Sequence, residues 1–305
     1  MGYVWSVYRM KRKLVKQGAA TLMISLPSKW IHANKLGKGD EVEVEEKGND
    51  LNISPKRLDK IKETQINLLS NIDSSIRTIL TNTYRQGYDK VTVNFKDAKS
   101  IESIEKVVAT QLLGFEIIKK THNSCIIENV TEPSKEQFEN IFSKMIMNIE
   151  ELISMTGRAL SGEKFEGFEK TEAKIKEFDN FCRRLISRET MEREDIKLAF
   201  HQELIHAQRN LYYLLAYLAH NKIKSTKTEL DFLGTCREMF SLLMDFYKNK
   251  KTETLEKMHS LETESYKKGY NLLSKKDVNS IVIYNILSAT RGFYLASSPL
   301  TVLAF

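Results

Sequence analysis

Residues 20–44, ATLMISLPSKWIHANKLGKGDEVEV, change their pattern twice within 25 positions. Apolar and polar residues alternate up to a proline, a short stretch with helical spacing follows, and alternation resumes after Gly-Lys-Gly-Asp. Alternation with a period of two is typical of a strand, and Pro27 suits the first turn of a helix. The stretch therefore predicts a strand, a short helix that Gly37 and Gly39 end, and a second strand.

The flanking residues extend this unit on both sides. Residues 12–17 are predicted to form a strand, and LNISP (51–55) a further strand after the turn KGND (47–50). A unit of about 45 residues with four short strands and one small helix cannot enclose a hydrophobic core alone. Because it contains no cysteine pair and no cluster of metal ligands, we expect two copies to exchange strands into one body.

Positive charge is concentrated near the N-terminus. The chain of 305 residues has 47 Lys or Arg and 40 Asp or Glu, a formal net charge of +7. Residues 1–39 hold eight Lys or Arg and no acidic residue, and residues 1–58 hold eleven basic and six acidic residues. This asymmetry indicates a polyanionic partner. Two copies of a basic strand related by a two-fold axis form a surface that suits duplex DNA.

The segment RKLVKQGAATLMISLPSKWIHANKLGKGDEVEVEEKGNDLNISP (12–55) resembles the swapped-hairpin DNA-binding domains of the AbrB, SpoVT and MazE type. The pattern strand, Leu-Pro-x-x-Trp, Leu-Gly-x-Gly-Asp, strand carries the resemblance. In that fold the basic N-terminal hairpin contacts DNA. The resemblance implies these DNA-contacting residues: Arg9, Lys11, Arg12, Lys13, Lys16, Gln17, Thr21 and Lys29. Many members have an arginine after the hairpin glycine, where this chain has Ala19 and Ala20, so we expect contacts to phosphates rather than to base edges.

Two other interpretations of the basic strand remain open. It can be a solvated edge strand whose charges prevent aggregation. It can also bind a protein partner, such as a toxin. An acid-free strand is not needed for dimerisation alone, so its composition favours DNA.

The rest of the chain separates into a mixed region and a helical region. Residues 60–132 are predicted to form a small α+β sandwich, with a helix ending near Gly87, a strand at 90–95, a helix at 101–113 and two strands within 115–130. Residues 134–305 have apolar residues at i, i+3, i+4 and i+7, which is typical of a helical bundle. Turn signals at five places predict six helices, which suggest two three-helix repeats; they lie near 162–167, 188–195, 221–227, 249–252 and 275–279.

The whole chain also resembles the PhoU-like phosphate-uptake regulators of the archaeal type. The residues that carry this resemblance are TYRQGYDKVTVNF (83–95), QLLGFEIIKKT (111–121), KIKEFDNFCRRLISRE (174–189) and LYYLLAYLAHN (211–221). The resemblance implies an AbrB-like domain at 9–57, a small α+β domain at 60–132 and a six-helix PhoU-like domain at 134–305. It also implies a role in phosphate homeostasis, through contact with a phosphate transporter or its signalling partners.

Metal binding is not expected, although PhoU helices typically bind metal clusters through Glu/Asp-x-x-x-Asp pairs. Two carboxylates at i and i+4 share a helix face and can chelate one cation. From residue 134 onward this spacing joins an acid to a base instead, in the pairs Glu166/Lys170, Glu172/Lys176, Asp179/Arg183, Glu189/Arg193, Glu253/Lys257 and Glu264/Lys268. We interpret these as surface pairs, each worth about 0.2–0.5 kcal/mol. We expect neither a metal cluster nor another cofactor.

The histidines of the same region do not form an alternative metal site. His201 and His206, which flank Glu203, are five positions apart, so on a helix their side chains point about 140° apart. Each is expected to have a core or surface role. Asp179 occupies the family's acidic position, but Arg183 can neutralise it.

No catalytic motif is present: the sequence has no GxSxG, Walker, HExxH or Cys-His signature, and an enzyme is not expected. Its three cysteines have no CxxC spacing and no apolar run is long enough to span a bilayer, so we expect a cytoplasmic protein without membrane insertion. The sequence predicts a homodimeric, DNA-binding transcriptional regulator with a helical sensor or docking domain. The alternative is an adaptor that uses the hairpin only to dimerise and docks on a transporter.

Overall fold

The computed structural model describes residues 10–18, 21–47, 50–55, 61–131, 137–188, 193–221, 223 and 226–304. The chain forms two compact units, residues 1–60 and residues 61–305. A small β-rich region is followed by a mainly helical one, as the sequence predicts. The two regions predicted as separate domains, 60–132 and 134–305, lie together in the second unit.

The described part of the first unit contains four short strands and one helix: β1 (Val15–Gln17), β2 (Thr21–Met23), α1 (Ser28–Ala33), β3 (Val42–Lys47) and β4 (Asp50–Pro55). β1 pairs with β2 and β3 pairs with β4, both antiparallel, in two separate two-stranded sheets. Gly18, with φ of +76°, begins the turn of the first hairpin in a conformation that glycine adopts without strain. A two-stranded sheet is only marginally stable alone, so neither hairpin is self-sufficient.

Helix α1 ends two residues earlier than predicted. The N–H of Leu36 donates to the carbonyl of Ile31 (3.0 Å), and the N–H of Lys35 donates to that of His32 (3.1 Å). This pair of bonds is a Schellman motif, in which the residue after the C-cap takes a left-handed conformation. Lys35 occupies that position, with φ of 54°. The prediction that Gly37 ends the helix is therefore wrong.

The second unit begins with a four-stranded sheet and two helices: β5 (Glu63–Leu68), α2 (Asp73–Arg85), β6 (Lys90–Phe95), α3 (Ser100–Gln111), β7 (Phe115–Lys120) and β8 (Ser124–Asn129). The strand order is β5-β6-β8-β7, with β5 parallel to β6 and the other pairs antiparallel. The predicted strand at 90–95 is confirmed. Strand β5 was not predicted, because Ile66 and Leu68 are the only large apolar residues among its six positions.

Seven helices follow in the described part of the chain: α4 (Phe138–Leu160), α5 (Phe168–Arg188), α6 (Glu194–His220), α7 (Lys227–Asn249), α8 (Thr252–Leu273), α9 (Ser280–Leu295) and α10 (Ser297–Ala304). Their ends lie at the five predicted breaks. The last predicted helix is divided at Ala296, so the predicted number of six differs at the C-terminal end. Pro299 lies in the first turn of α10, where a missing N–H removes no helical hydrogen bond.

Helix α5 joins the sheet to the helical bundle. It packs against α2 and α3 on one side and against α4 and α6 on the other. Its Arg184 is 1% exposed and donates to the carbonyls of Tyr84 (3.0 Å) and Tyr88 (2.7 Å) and to Asp89 Oδ1 (2.9 Å). The same guanidinium lies over the rings of Tyr84 and Phe115. A buried charge with these partners fixes the bundle on the sheet.

Candidate nucleic-acid interface

The predicted DNA-contacting cations lie on exposed chain at the start of the first unit. Lys11, Arg12 and Lys13 precede β1, and Lys16 lies within it; all four are exposed. Lys29 is exposed in the first turn of α1. Arg9, Ala19 and Ala20 lie outside the described residues.

The first hairpin places the predicted contact residues on two faces. Gln17 lies opposite Thr21, and Lys16 lies opposite Leu22. Opposed residues of an antiparallel pair share a face, and successive residues alternate between faces. Lys16 and Gln17 therefore point to opposite sides of the hairpin. The hairpin therefore does not present all of its predicted DNA-contacting residues on one face, and Gln17 and Thr21 form a polar pair on the face opposite Lys16.

Segment 10–17 and the strand that pairs with it, β2, contain no acidic residue. The acidic residues of the first unit begin at Asp40 and continue along β3, in the other hairpin. Asp40 is used locally, because its Oδ2 accepts the N–H of Gly37 at 2.7 Å in the turn after α1. All charged residues of segment 10–17 are thus cations, which suits the segment to an extended polyanion.

Large apolar side chains of the first unit face solvent. Leu14, Leu22 and Leu51 are 64%, 61% and 63% exposed, and Val15 and Val44 are 58% and 55% exposed. None of the residues between 10 and 55 whose side-chain burial is described is buried. Exposed apolar surface on both hairpins marks an association surface, because the hairpins do not bury it within one chain.

Asp179, taken from the sequence as a surface residue neutralised by Arg183, lies instead in a buried cluster of the second unit. It is 1% exposed, 2.9 Å from Arg183 Nε and 3.5 Å from a guanidinium nitrogen of Arg85. His201 Nδ1 lies 3.0 Å from Asp179 Oδ1, and because a carboxylate only accepts, the imidazole donates. Burial alone would raise the pKa of Asp179, but the hydrogen bond from His201 and the charges of Arg183 and Arg85 together hold it below its usual value.

Two of the predicted surface pairs are therefore buried at their acidic ends. Glu172 pairs with Lys176 at 2.5 Å, and the Glu172 side chain is 7% exposed. The interpretation of both pairs as surface pairs is wrong, because α5 is covered on two sides. Glu166 pairs with Lys164 (3.0 Å), and Glu189 lies outside the described residues.

The two histidines do not converge. His201 is 2% exposed and bonded to Asp179, whereas the His206 ring bonds to the exposed side chain of Gln202. Within the described ranges, no group of three or more His, Cys, Asp or Glu side chains is placed to hold a metal ion. The expectation that the chain holds no metal cluster stays a prediction.

Residues 15–60 match a family model described as antidote-toxin recognition MazE, bacterial antitoxin. No curated protein matches the chain, and no solved structure matches it. The N-terminal region is therefore similar to a MazE-type antitoxin domain over residues 15–60. The match covers less than a fifth of the chain and does not extend to the helical region.

None of the described helices is both long enough and apolar enough to cross a membrane.

Proposed function

We propose that this chain is a homodimeric DNA-binding transcriptional regulator. The observation that carries the proposal is segment 10–17, which is exposed throughout and contains four cations and no acid. Its last three residues, 15–17, begin the region 15–60 that matches the MazE antitoxin model, and Lys11, Arg12 and Lys13 directly precede that region. The helical part of the second unit serves as the sensor or docking body.

A second copy of the chain explains the exposed apolar side chains of the first unit. Each hairpin has only two strands, and residues such as Leu22 and Leu51 are more than half exposed. Full burial of one such side chain is worth about 1.5–3 kcal/mol. Exchange of hairpins between two chains would bury several of them and place two cationic segments on one body.

The electrostatic contribution to DNA binding is estimated from the dependence of the binding constant K on salt concentration. If the dimer neutralises about 6–8 phosphates, log K falls with log salt at a slope of about −5 to −7. Most of this affinity is independent of sequence, because Lys and Arg on phosphates position a protein without reading bases. Gln17 and Thr21, a polar pair on the other face from Lys16, are the remaining candidates for base contacts.

The experiment is DNA retention of the full chain at several salt concentrations, for wild type and for Arg12→Glu/Lys13→Glu. In a dimer this variant loses up to four phosphate contacts, so the salt slope becomes shallower by about 3–4. The matched control is Lys144→Glu/Lys267→Glu, which changes the charge equally at exposed positions of α4 and α8. Sedimentation of all three proteins checks that the dimer persists. Unchanged retention by an intact dimer would favour the adaptor that uses the hairpin only to dimerise.

A second candidate is an antitoxin-type regulator, favoured by the description of the matching family. In that case the exposed apolar side chains around Val44 and Leu51 receive a protein partner. Association of that kind tolerates the double charge reversal at Arg12 and Lys13. The same variant therefore separates a protein partner from DNA.

The proposed role of the helices and the proposed link to phosphate rest on the resemblance to PhoU-like regulators. On the similarity of residues 83–221 to PhoU-like regulators, we propose that the helices form a PhoU-like body that links DNA binding to phosphate homeostasis, through a phosphate transporter or its partners. We propose further that the protein is cytoplasmic, has no cofactor and is not an enzyme. Selection of bound genomic fragments from cells grown with and without ample phosphate tests the link. Identical fragments with identical occupancy in both conditions would contradict it.

A further inference from the structure

A polar cavity of about 260 Å³ lies in the second unit between α2, α5 and α6. Its charged lining residues are Arg77 and Arg85 of α2, Glu172, Lys176 and Asp179 of α5, and Arg209 of α6. Four cations thus face two carboxylates. The excess of two positive charges is held in a concave space that includes side chains from the sheet region and from the bundle.

Both carboxylates are already neutralised by neighbours. Glu172 pairs with Lys176 at 2.5 Å. Asp179 has Arg183 at 2.9 Å and Arg85 at 3.5 Å, in addition to the hydrogen bond from His201. Each acid thus has a cationic partner, and within the described residues no ion pair joins either acid to Arg77 or Arg209.

Arg77 and Arg209 have no side-chain partner among the described residues. They lie 132 positions apart in the sequence, on α2 and α6, and line the same cavity. Neither guanidinium makes a hydrogen bond, an ion pair or a ring contact within the described part of the chain. Their donors are free for a ligand.

Arg85, a third cation that lines the cavity, is held in place by its neighbours. Its Nε donates to Asn180 Oδ1 (2.8 Å), and Asn180, which is 1% exposed, donates in turn to the carbonyl of Gln111 (2.9 Å). Burial lowers the pKa of Arg85; Asp179 opposes this effect, and the charges of Arg183 and Arg209 add to it. An anion in the cavity would relieve the repulsion among these cations.

The size and charge of the cavity restrict the ligand. Pockets for drug-sized ligands occupy about 300–1,000 Å³, so this cavity suits a smaller group. Guanidinium groups match the oxygens of carboxylates and phosphates in pairs of parallel hydrogen bonds. A phosphoryl group carries about −1.5 to −2 charges at pH 7, which balances the excess of two.

We propose that this cavity binds a phosphoryl dianion, either inorganic phosphate or the head of a small phosphate monoester. Arg77 and Arg209 bind its oxygens from opposite helices, and Arg85 completes the site from a fixed position. The proposal rests on the second unit alone and does not depend on DNA binding. Because α2 belongs to the sheet region and α5 and α6 to the bundle, the bound anion stabilises their packing.

The test is isothermal titration calorimetry of the full chain with inorganic phosphate and with glycerol 3-phosphate, at constant ionic strength. Wild type is expected to bind at least one of the two saturably, and the one that binds identifies the source of the phosphoryl group. Arg77→Gln and Arg209→Gln should each weaken binding on the order of tenfold, and the double variant more. Because neither arginine has a partner among the described residues, both variants are expected to fold, which circular dichroism checks.

The matched control is Arg237→Gln, which removes an exposed arginine of α7 that does not line the cavity. It should bind phosphate like wild type. Thermal stabilisation by phosphate but not by the same ionic strength of chloride is a second expected result. The proposal is overturned if wild type binds neither ligand, if the cavity variants bind like wild type, or if chloride stabilises equally. DNA retention is measured for Arg77→Gln/Arg209→Gln as well. If this variant loses phosphate binding but still retains DNA, the anion site of the second unit is independent of the proposed DNA binding.

Discussion

Replacing Asp179 with asparagine removes the negative charge at the centre of the buried cluster on α5. Arg183 lies 2.9 Å from this carboxylate, His201 3.0 Å and Arg85 3.5 Å, and the Asp179 side chain is 1% exposed. Removal of one partner from a buried ion pair typically costs about 3–5 kcal/mol, because it leaves the other charge buried and uncompensated. The new amide side chain would keep the shape of the carboxylate and one hydrogen-bond acceptor. We therefore expect Asp179→Asn to lower the free energy of unfolding by about 3 kcal/mol or more.

The assay is urea unfolding at pH 7, followed by circular dichroism, which reports the helical second unit. The matched control is Glu151→Gln, which makes the same carboxylate-to-amide change in an exposed pair with Arg158 at 2.7 Å, where the Glu151 side chain is 45% exposed. Exposed pairs contribute about 0.2–1 kcal/mol or nothing measurable. If both variants lose less than about 1 kcal/mol, the buried cluster does not stabilise the fold as argued.

The pH dependence gives an independent check of the same cluster. The pKa of Asp179 is lower in the folded chain than in the unfolded chain, so its contribution is present above the unfolded value and is lost as pH falls through the folded value. The difference between wild type and Asp179→Asn should stay constant from pH 7 to 5 and narrow below about pH 4. A difference that grows on acidification would mean that the carboxyl is not held ionised.

Three further substitutions or treatments follow from local packing. Gly234→Ala should raise the free energy of unfolding by about 0.5–1 kcal/mol, because Gly234 lies inside α7 and its added methyl group meets open space. Gly292→Ala should lower it by about 1–3 kcal/mol, because the new Cβ would lie 2.7 Å from the Cβ of Ala207 across the α6–α9 contact. Urea unfolding of both variants measures the change in the free energy of unfolding. If both substitutions changed it in the same direction, the open space at Gly234 and the close contact at Gly292 would not decide stability as argued. All three cysteines are buried, with the pKa of Cys236 raised to about 12 and that of Cys125 to about 11, so native protein should resist iodoacetamide at pH 8 until it is unfolded. Rapid labelling of the folded protein, seen by mass spectrometry, would show that the thiols are accessible.

Strong local patterns allowed most of the elements to be predicted. The strand at 90–95 has three apolar residues in strict alternation and was predicted to the residue, whereas β5 (63–68) was missed because its alternation is weak. The end of α1 was misplaced for a different reason. Glycine is the residue that most readily takes a left-handed conformation, so the sequence pointed to Gly37 as the end of the helix. The hydrogen bonds of the Schellman motif require that conformation two residues earlier, at Lys35.

The orientation of Lys16 and Gln17 and the burial of Asp179 were both missed from the sequence, for two different reasons. The opposite orientation of Lys16 and Gln17 follows from strand alternation and was within reach of the sequence. The burial of Asp179 could not be predicted from the sequence, because the helices that cover it are formed by residues far away along the chain. The spacing of Asp179 and Arg183 is the same on a surface helix and on a covered one, so local spacing cannot distinguish them. Arg77 and Arg209 likewise share no motif, and they line the same cavity only because α2 and α6 both pack against α5.

The cations of segment 10–17 in the first unit are exposed to solvent, whereas those around Asp179 in the second unit are buried. Salt therefore affects the two sets of charges differently. The cations of segment 10–17 are exposed, so salt screens them over about 8–10 Å at physiological concentrations and weakens their hold on a polyanion. The charges around Asp179 are buried and in contact, and salt screens such pairs far less. Under the proposed DNA binding, one salt series should release DNA while the second unit stays folded, because the proposed binding depends on the first set of charges and the stability of the second unit on the second set. Loss of helical structure over the same salt range would mean that the buried pairs are open to solvent, and the separation of roles would then fail.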